Sequence, residues 1–299
     1  MKNINFNSVM ILILLISSQF YYGQFKVFFA GEPSSKSQKS FIKNNNLIFL
    51  DFFYEDEFVT NGRIDFKKLN ESLNNKFPMK DTKAYLVLDW EGKVYDDLWS
   101  KNNYKESMNQ FISAIDFIKK NRPNIKVGYY GIPSREFWNA DAVWQNKNLL
   151  LAPLYKKVDF LANSVYMFYT DSEVKSVLNT NYIKQNVELA LTIGKKFNKP
   201  VYPVIWHRYH PSNQHFGLMN IPLQSFRTYI NDILETEVQG KKVSGVFWWQ
   251  ADIYYRKTEI NNKNLKKEYS EIKNFDEYDV KLFKKYLNVI LQIASSKSY

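Results

Sequence analysis

Two carboxylates one residue apart, in Leu86-Val87-Leu88-Asp89-Trp90-Glu91-Gly92, are the chemically most informative feature of this chain. The run before them is apolar and β-rich. Side chains on a strand alternate faces, so Asp89 and Glu91 project the same way. Two carboxylates held side by side repel, and one keeps its proton at a pH where an isolated carboxyl would lose it. A carboxylic acid beside a carboxylate suits cleavage of a glycosidic bond. The acid protonates the leaving oxygen, and the anion stabilises the positive charge that develops. The same spacing also fits a strand that ends in a solvated acidic turn, so the surroundings must decide.

Strand candidates at 25–30, 46–53, 84–90, 126–132, 158–166, 200–206 and 245–250 alternate with helical patterns near 65–77, 103–121, 140–156, 180–198, 222–238 and 270–294. In the second helical pattern Met108, Phe111, Ile112, Ile115 and Ile118 recur at three- and four-residue steps and form one buried stripe. Strands alternating with helices imply parallel pairing through crossovers. The pattern predicts an α/β fold: a TIM-like (β/α) barrel of seven or eight parallel strands, distorted from the regular form. A doubly wound open sheet is the alternative, but no Gly-x-Gly-x-x-Gly loop follows the first strand.

Reactive groups of such barrels sit at the C-terminal ends of the strands. The residues predicted there are Glu32, Asp51, Glu55, Asp56, Asp89 and Glu91, then Tyr129, Tyr130 and Tyr166. Trp206 to Tyr209 follow, and Trp248, Trp249 and Asp252 end the last strand. Carboxylates mixed with aromatic rings suit a carbohydrate, whose ring faces stack on aromatics while its hydroxyls bind carboxylates.

Composition removes several other chemistries. The chain has no Cys, which excludes thiol nucleophiles, thiolate metal sites and disulfides. Its three His (207, 210 and 215) lie in one segment that Pro211 keeps from being helical, so zincin spacing is absent. No metal and no cofactor is expected. The formal charge of +11 favours anionic partners. Lys and Arg are spread along the chain, without the basic stripe that marks a nucleic-acid binder. Lys2, an apolar run Val9–Ile16 and small or polar residues up to Gln24 read as a signal peptide. Residues 25–299 are then one barrel domain, secreted or periplasmic, with no stable membrane insertion after signal removal. An uncleaved anchor or a buried first strand is the alternative.

Several segments together resemble the hyaluronidases of glycoside hydrolase family 56. Asp89-Trp90-Glu91 is similar to the family's acidic strand motif. Arg122-Pro123 followed by Gly128-Tyr129-Tyr130-Gly131-Ile132-Pro133 resembles the next strand, and Ser164-Val165-Tyr166 the one after. Pro200–Tyr209 and Gly245-Val246-Phe247-Trp248-Trp249 resemble the last two. The matches run in family order over residues 46–256.

The resemblance implies a retaining, substrate-assisted hydrolase of an N-acetylhexosamine polysaccharide of the hyaluronan or chondroitin kind. Glu91 would be the acid/base, and Asp89 would orient the acetamido group whose carbonyl oxygen is the nucleophile. Tyr166 would hydrogen-bond that oxygen, and Trp249 would wall the acetamido methyl. Tyr129, Trp206, Tyr209, Asp51 and Trp248 are further substrate-binding candidates, and His207 is expected as a hydrogen-bonding group on the rim. Val204, Gly92-Lys93-Val94-Tyr95 and Trp249-Gln250-Ala251 depart from the family pattern. Two alternatives remain open: a two-carboxylate glycosidase drawing on Asp51, Glu55 or Asp252, and a non-catalytic carbohydrate-binding barrel.

Overall fold

The structure is a computed structural model that describes residues 25–31, 36–100, 102–258 and 260–297; the predicted signal segment and Glu32 lie outside the described residues. Strands β1 (Lys26–Ala30) and β2 (Ile48–Tyr54) pair in parallel. A 3-10 turn, Glu55–Glu57, leads into an antiparallel hairpin of β3 (Val59–Thr60) and β4 (Arg63–Ile64). Its Asn61-Gly62 turn has positive φ at both positions, the backbone that Asn-Gly favours. Then come β5 (Tyr85–Asp89), β6 (Lys126–Tyr129), β7 (Val204–Ile205) and β8 (Gly245–Trp249). The main sheet has the order β6-β5-β2-β1-β8-β7, and every neighbouring pair is parallel.

The segment around 160–164 closes the ring. Parallel bridges join Tyr130 to Ala162, Leu161 to Val201 and Ser164 to Val204. The Gly131 N–H donates to Ala162 O (3.0 Å) and the Tyr202 N–H to Leu161 O (2.9 Å). Six regular strands plus this segment complete the circuit. Two predicted strands, 158–166 and 200–206, are therefore much reduced: the first is held only by isolated bridges and the second is regular only at Val204–Ile205. The two segments still bond through their backbones, Leu161 N–H to Pro200 O (3.0 Å) and Val204 N–H to Asn163 O (2.8 Å), while Pro203, whose carbonyl accepts from the Phe247 N–H (3.0 Å), supplies no N–H on the β8 side.

Helices pack outside the ring. Phe66–Lys76 starts at Asp65, whose carboxylate caps the N–H groups of Lys67 and Lys68. The predicted helix at 140–156 is two short ones, Ala142–Leu149 and Ala152–Lys157, the second with Pro153 in its first turn. Helices Lys36–Asn44, Asp252–Thr258 and Lys263–Ser270 were not predicted.

The alternation of strand side chains divides the core into two. Phe28, Leu50, Val87, Phe160, Val204 and Phe247 fill the barrel interior. Phe29, Leu86, Leu88, Val127, Val246 and Trp248 face the helices. Phe28 forms the floor, with ring centroids 4.8 Å from Tyr85, 4.9 Å from Tyr202 and 4.7 Å from Phe247. Gly128 makes room for Phe160 to cross the interior, since a Cβ there would lie 2.3 Å from its ring.

Candidate active site

On β5, Leu86, Leu88 and Trp90 face the helices while Tyr85 and Val87 face the interior. Trp90 stacks on Phe111 (4.9 Å, 12° between planes) and meets Phe58 edge-on at 5.5 Å. That packing locks the middle residue of Asp-Trp-Glu to the helix layer and turns both carboxylates inward, toward the mouth. The extended run beyond β5 ends at Gly92, whose φ of +75° is readily adopted only by a residue without Cβ.

Glu91 is exposed and stands between two hollows. One, of about 700 Å³, is lined by Tyr54, Glu55, Asp56, Lys68, Asp89 and Glu91 among others. The other, about 360 Å³, is lined by Glu91, Tyr95, Trp99, Tyr130, Arg135 and Lys147 among others. Asp89 lies one step deeper. Its Oδ1 is shielded from solvent and has no hydrogen-bond partner among the described residues. Burial, then Glu91, then Glu55, pushes the Asp89 carboxyl up to about 7. Asp89 is thus the member of the pair that keeps its proton to a higher pH than an isolated carboxyl would. A buried, unpartnered carboxyl costs stability, and such groups concentrate where chemistry is done.

Tyrosines and tryptophans build the wall next to the pair. Tyr130 follows β6, and its hydroxyl donates to Ser164 Oγ (3.2 Å). The Tyr166 ring lies 6.0 Å from Tyr130, 5.7 Å from Trp206 and 5.8 Å from Trp249, stacked at 20° on the last. Tyr182 donates its hydroxyl proton to the Tyr166 carbonyl (3.1 Å), which fixes the backbone there. Burial raises the Tyr130 and Tyr166 phenols above their ordinary range, and Asp89 is close enough to act on both. Both therefore stay neutral beside the acid pair.

The predicted residues divide by strand face. Asp89, Glu91, Tyr166, Trp206 and Trp249 come together at the interior mouth. Asp51 does not: it projects outward from β2 and pairs with Lys76 at 2.9 Å. Tyr129 also points outward and donates its hydroxyl to Phe111 O (2.9 Å). Trp248 is buried among the helices against Phe283, at 4.8 Å. Tyr209 is buried in the same outer layer, its backbone paired with Leu218 and Met219.

His207 is not on the rim. It is fully buried behind the barrel, accepting from Trp248 Nε1 (3.3 Å) and 3.2 Å from Asp252. Asp252 is itself clamped by Arg208 Nε at 2.8 Å and the Tyr269 hydroxyl at 3.1 Å. Of the three carboxylates considered as an alternative second group, only Glu55 reaches the hollow at the acid pair. Tyr95 and Arg135 line the site without having been singled out for it, whereas Tyr130 was placed at the rim, though not among the substrate-binding candidates, and Ser164 was noted as part of a strand motif. Tyr130 was legible, because the residue after outward Tyr129 must share the face of Asp89. Arg135 lies on a loop and left no signal.

No family model matches the chain, and no curated protein matches it either. Solved structures do. Bee venom hyaluronidase superposes with a TM-score of 0.64 at 16% identity, over 92% of this chain and 100% of that one. Bee venom hyaluronidase in complex with a hyaluronic acid tetramer gives 0.59 at 16% identity, over 81% and 98%. At that identity the likeness is one of fold: this chain is built as the barrel seen in hyaluronidase.

Proposed function

We propose that the protein is a glycoside hydrolase acting on an N-acetylhexosamine-containing polysaccharide by a retaining, substrate-assisted mechanism. The observation that carries the reading is the acid pair: exposed Glu91 at the junction of two hollows, with shielded, unpartnered Asp89 beneath it. The shared fold with a hyaluronidase and the match of inward-facing residues to the family motif support it.

The chemistry follows from depth. Glu91 reaches the open cleft where a glycosidic oxygen lies, and Asp89 reaches the pocket floor beside Tyr130 and Tyr166. An acetamido group seated there presents its N–H to Asp89, which favours the carboxylate, and neighbouring Glu91 takes the displaced proton. Glu91 then protonates the glycosidic oxygen as the C1–O bond breaks, and the acetamido carbonyl oxygen closes on C1. Asp89 stabilises the cationic ring, the Tyr166 hydroxyl donates to its oxygen, and Trp249 covers the methyl. Glu91, now ionised, removes a proton from water as that water opens the ring at C1.

Glu91→Gln keeps the fold and loses at least about 10²-fold in kcat, the scale of general acid catalysis. The readout is reducing-end release from hyaluronan, chondroitin and chitin-type oligomers, and retained turnover refutes the assignment. The proximity of Glu55 favours a second reading, a two-carboxylate glycosidase. A thiazoline made from N-acetylglucosamine separates the two, because only a substrate-assisted site binds it strongly. We further propose that residues 1–24 direct export, which N-terminal sequencing of the mature protein tests.

A further inference from the structure

The hollow on one side of Glu91 contains a guanidinium whose charge no carboxylate among the described residues answers. Arg135 sits on the loop after β6, and its backbone is pinned on both sides. Asn148 accepts from the Ser134 N–H (2.8 Å); Asn186 accepts from the Glu136 N–H (2.9 Å) and donates to Glu136 O (2.8 Å). Both asparagines are buried. The side chain is thereby aimed into the hollow from a rigid base.

All of its partners among the described residues are neutral. Nη1 donates to Ser164 Oγ and, at 3.5 Å, to the Tyr130 oxygen. Nη2 meets His210 Nε2 at 3.1 Å. A guanidinium only donates, so that ring nitrogen is the acceptor and the imidazole is uncharged; its Nδ1 lies 2.7 Å from Ser212 Oγ and 3.2 Å from the Ser212 N. Burial, then Arg135, holds His210 down at about 4. The Arg135 Cζ lies 4.8 Å over the Phe168 ring and 5.8 Å over Tyr166. Glu136, next in sequence, is occupied elsewhere by the N–H groups of Phe137, Trp138 and Asn139 at 3.0, 3.0 and 3.2 Å. No described carboxylate lies within ion-pair distance of Arg135, and its Nε–H has no acceptor among the described residues. Lys147 adds a second positive charge at the exposed edge of the same hollow.

A charge held this firmly among neutral groups costs desolvation unless an anion completes it. A planar fork with donors to spare matches a carboxylate. We infer that Arg135 is a specificity-determining residue that receives the carboxylate of a uronic acid adjoining the bond cleaved at Glu91, with Lys147 at its outer edge. The inference rests on the hydrolase reading above and assigns its substrate to the acidic polysaccharides.

The test compares hyaluronan with carboxyl-reduced hyaluronan of equal length, using the whole protein. Wild type is expected to favour the acidic polymer in kcat/KM by about 10- to 100-fold, the range of a charge-assisted hydrogen bond. Arg135→Gln should collapse that ratio toward one, and Arg135→Lys, which keeps the charge without the fork, should give an intermediate ratio. Circular dichroism confirms that each variant is folded. A wild-type ratio near one overturns the inference even if Arg135→Gln fails to fold. So does an Arg135→Gln variant that loses equally on both polymers. If wild type cuts both polymers equally well, the hydrolase reading stands and only the role of Arg135 falls. If it cuts neither polymer nor any chitin-type oligomer, both fall together.

Discussion

Replacing Asp89 by Asn tests the charge arrangement of the acid pair through stability as well as through turnover. Burial, followed by Glu91 and Glu55, raises this carboxyl from 3.8 to about 7. At ~1.4 kcal/mol for each tenfold change in proton affinity, the ceiling on the linked stability change is about 4 kcal/mol. Part of the side chain remains wet, and roughly half of that ceiling is expected. The native state binds the Asp89 proton more tightly than the unfolded chain does. Between about pH 4 and pH 7 it therefore loses relative stability as pH rises, and the loss is complete above about pH 8. Asparagine has nearly the same shape and no charge to desolvate.

Asp89→Asn should thus match wild type in urea denaturation near pH 4 and exceed it by about 2 kcal/mol near pH 8. Asp279, behind the barrel, is also pushed up to about 7, by burial and then Asp252. It is present in both proteins and cancels in the difference. The same variant should lose turnover, because an amide cannot become the anion that a cationic ring intermediate requires. Superimposable stability profiles from pH 4 to pH 8 would show that Asp89 is not held protonated by its surroundings.

Three other substitutions probe the placement of side chains. Asp51→Asn removes an outward carboxylate paired with Lys76, so kcat/KM should stay within about twofold and stability within about 1 kcal/mol; a tenfold loss of activity would mean that β2 faces the other way. Gly128→Ala puts a methyl group 2.3 Å from the Phe160 ring and should cost about 1–3 kcal/mol in urea denaturation, against no change if the interior is loosely filled. Asp252→Asn leaves buried Arg208 with Glu268 as its remaining carboxylate and should cost about 3–5 kcal/mol at neutral pH. Burial alone would raise Asp252, but Arg208 and then His207 outweigh it and hold this carboxyl well below its ordinary range. The difference between this variant and wild type should therefore shrink as the solution is acidified below about pH 4.

Much of the barrel was legible because helical stripes and β-rich runs are local patterns. Five of the six predicted helical stretches contain a single helix close to the predicted limits, and the remaining one, 140–156, is interrupted at Leu150 and Leu151, just before a new helix with Pro153 in its first turn. The two strands that shrank lie side by side, and the second contains Pro200 and Pro203. Missing donors there are visible in the sequence, but their effect depends on which neighbour needed them. The unpredicted helix Lys263–Ser270 is too polar to show a clear apolar stripe: it buries only Leu265 and Tyr269.

By itself the sequence determined that Asp89 and Glu91 share a face, because the strand period is two whatever the fold. It likewise determined that Trp90 opposes them and that no thiol chemistry is available. Only the tertiary structure decided which face points into the barrel. Packing of Trp90 on Phe111 sets that choice, and the parallel register then carries it to the neighbouring strands. The same parity sends Asp51, Tyr129 and Trp248 to the helices and brings Tyr130 to the acid pair. The tertiary structure also raised the proton affinity of Asp89, since burial outranks mutual repulsion as the cause of its shift. Arg135 belongs wholly to that second category: a loop residue acquires an unanswered charge only when the groups around it, distant in sequence, all prove neutral.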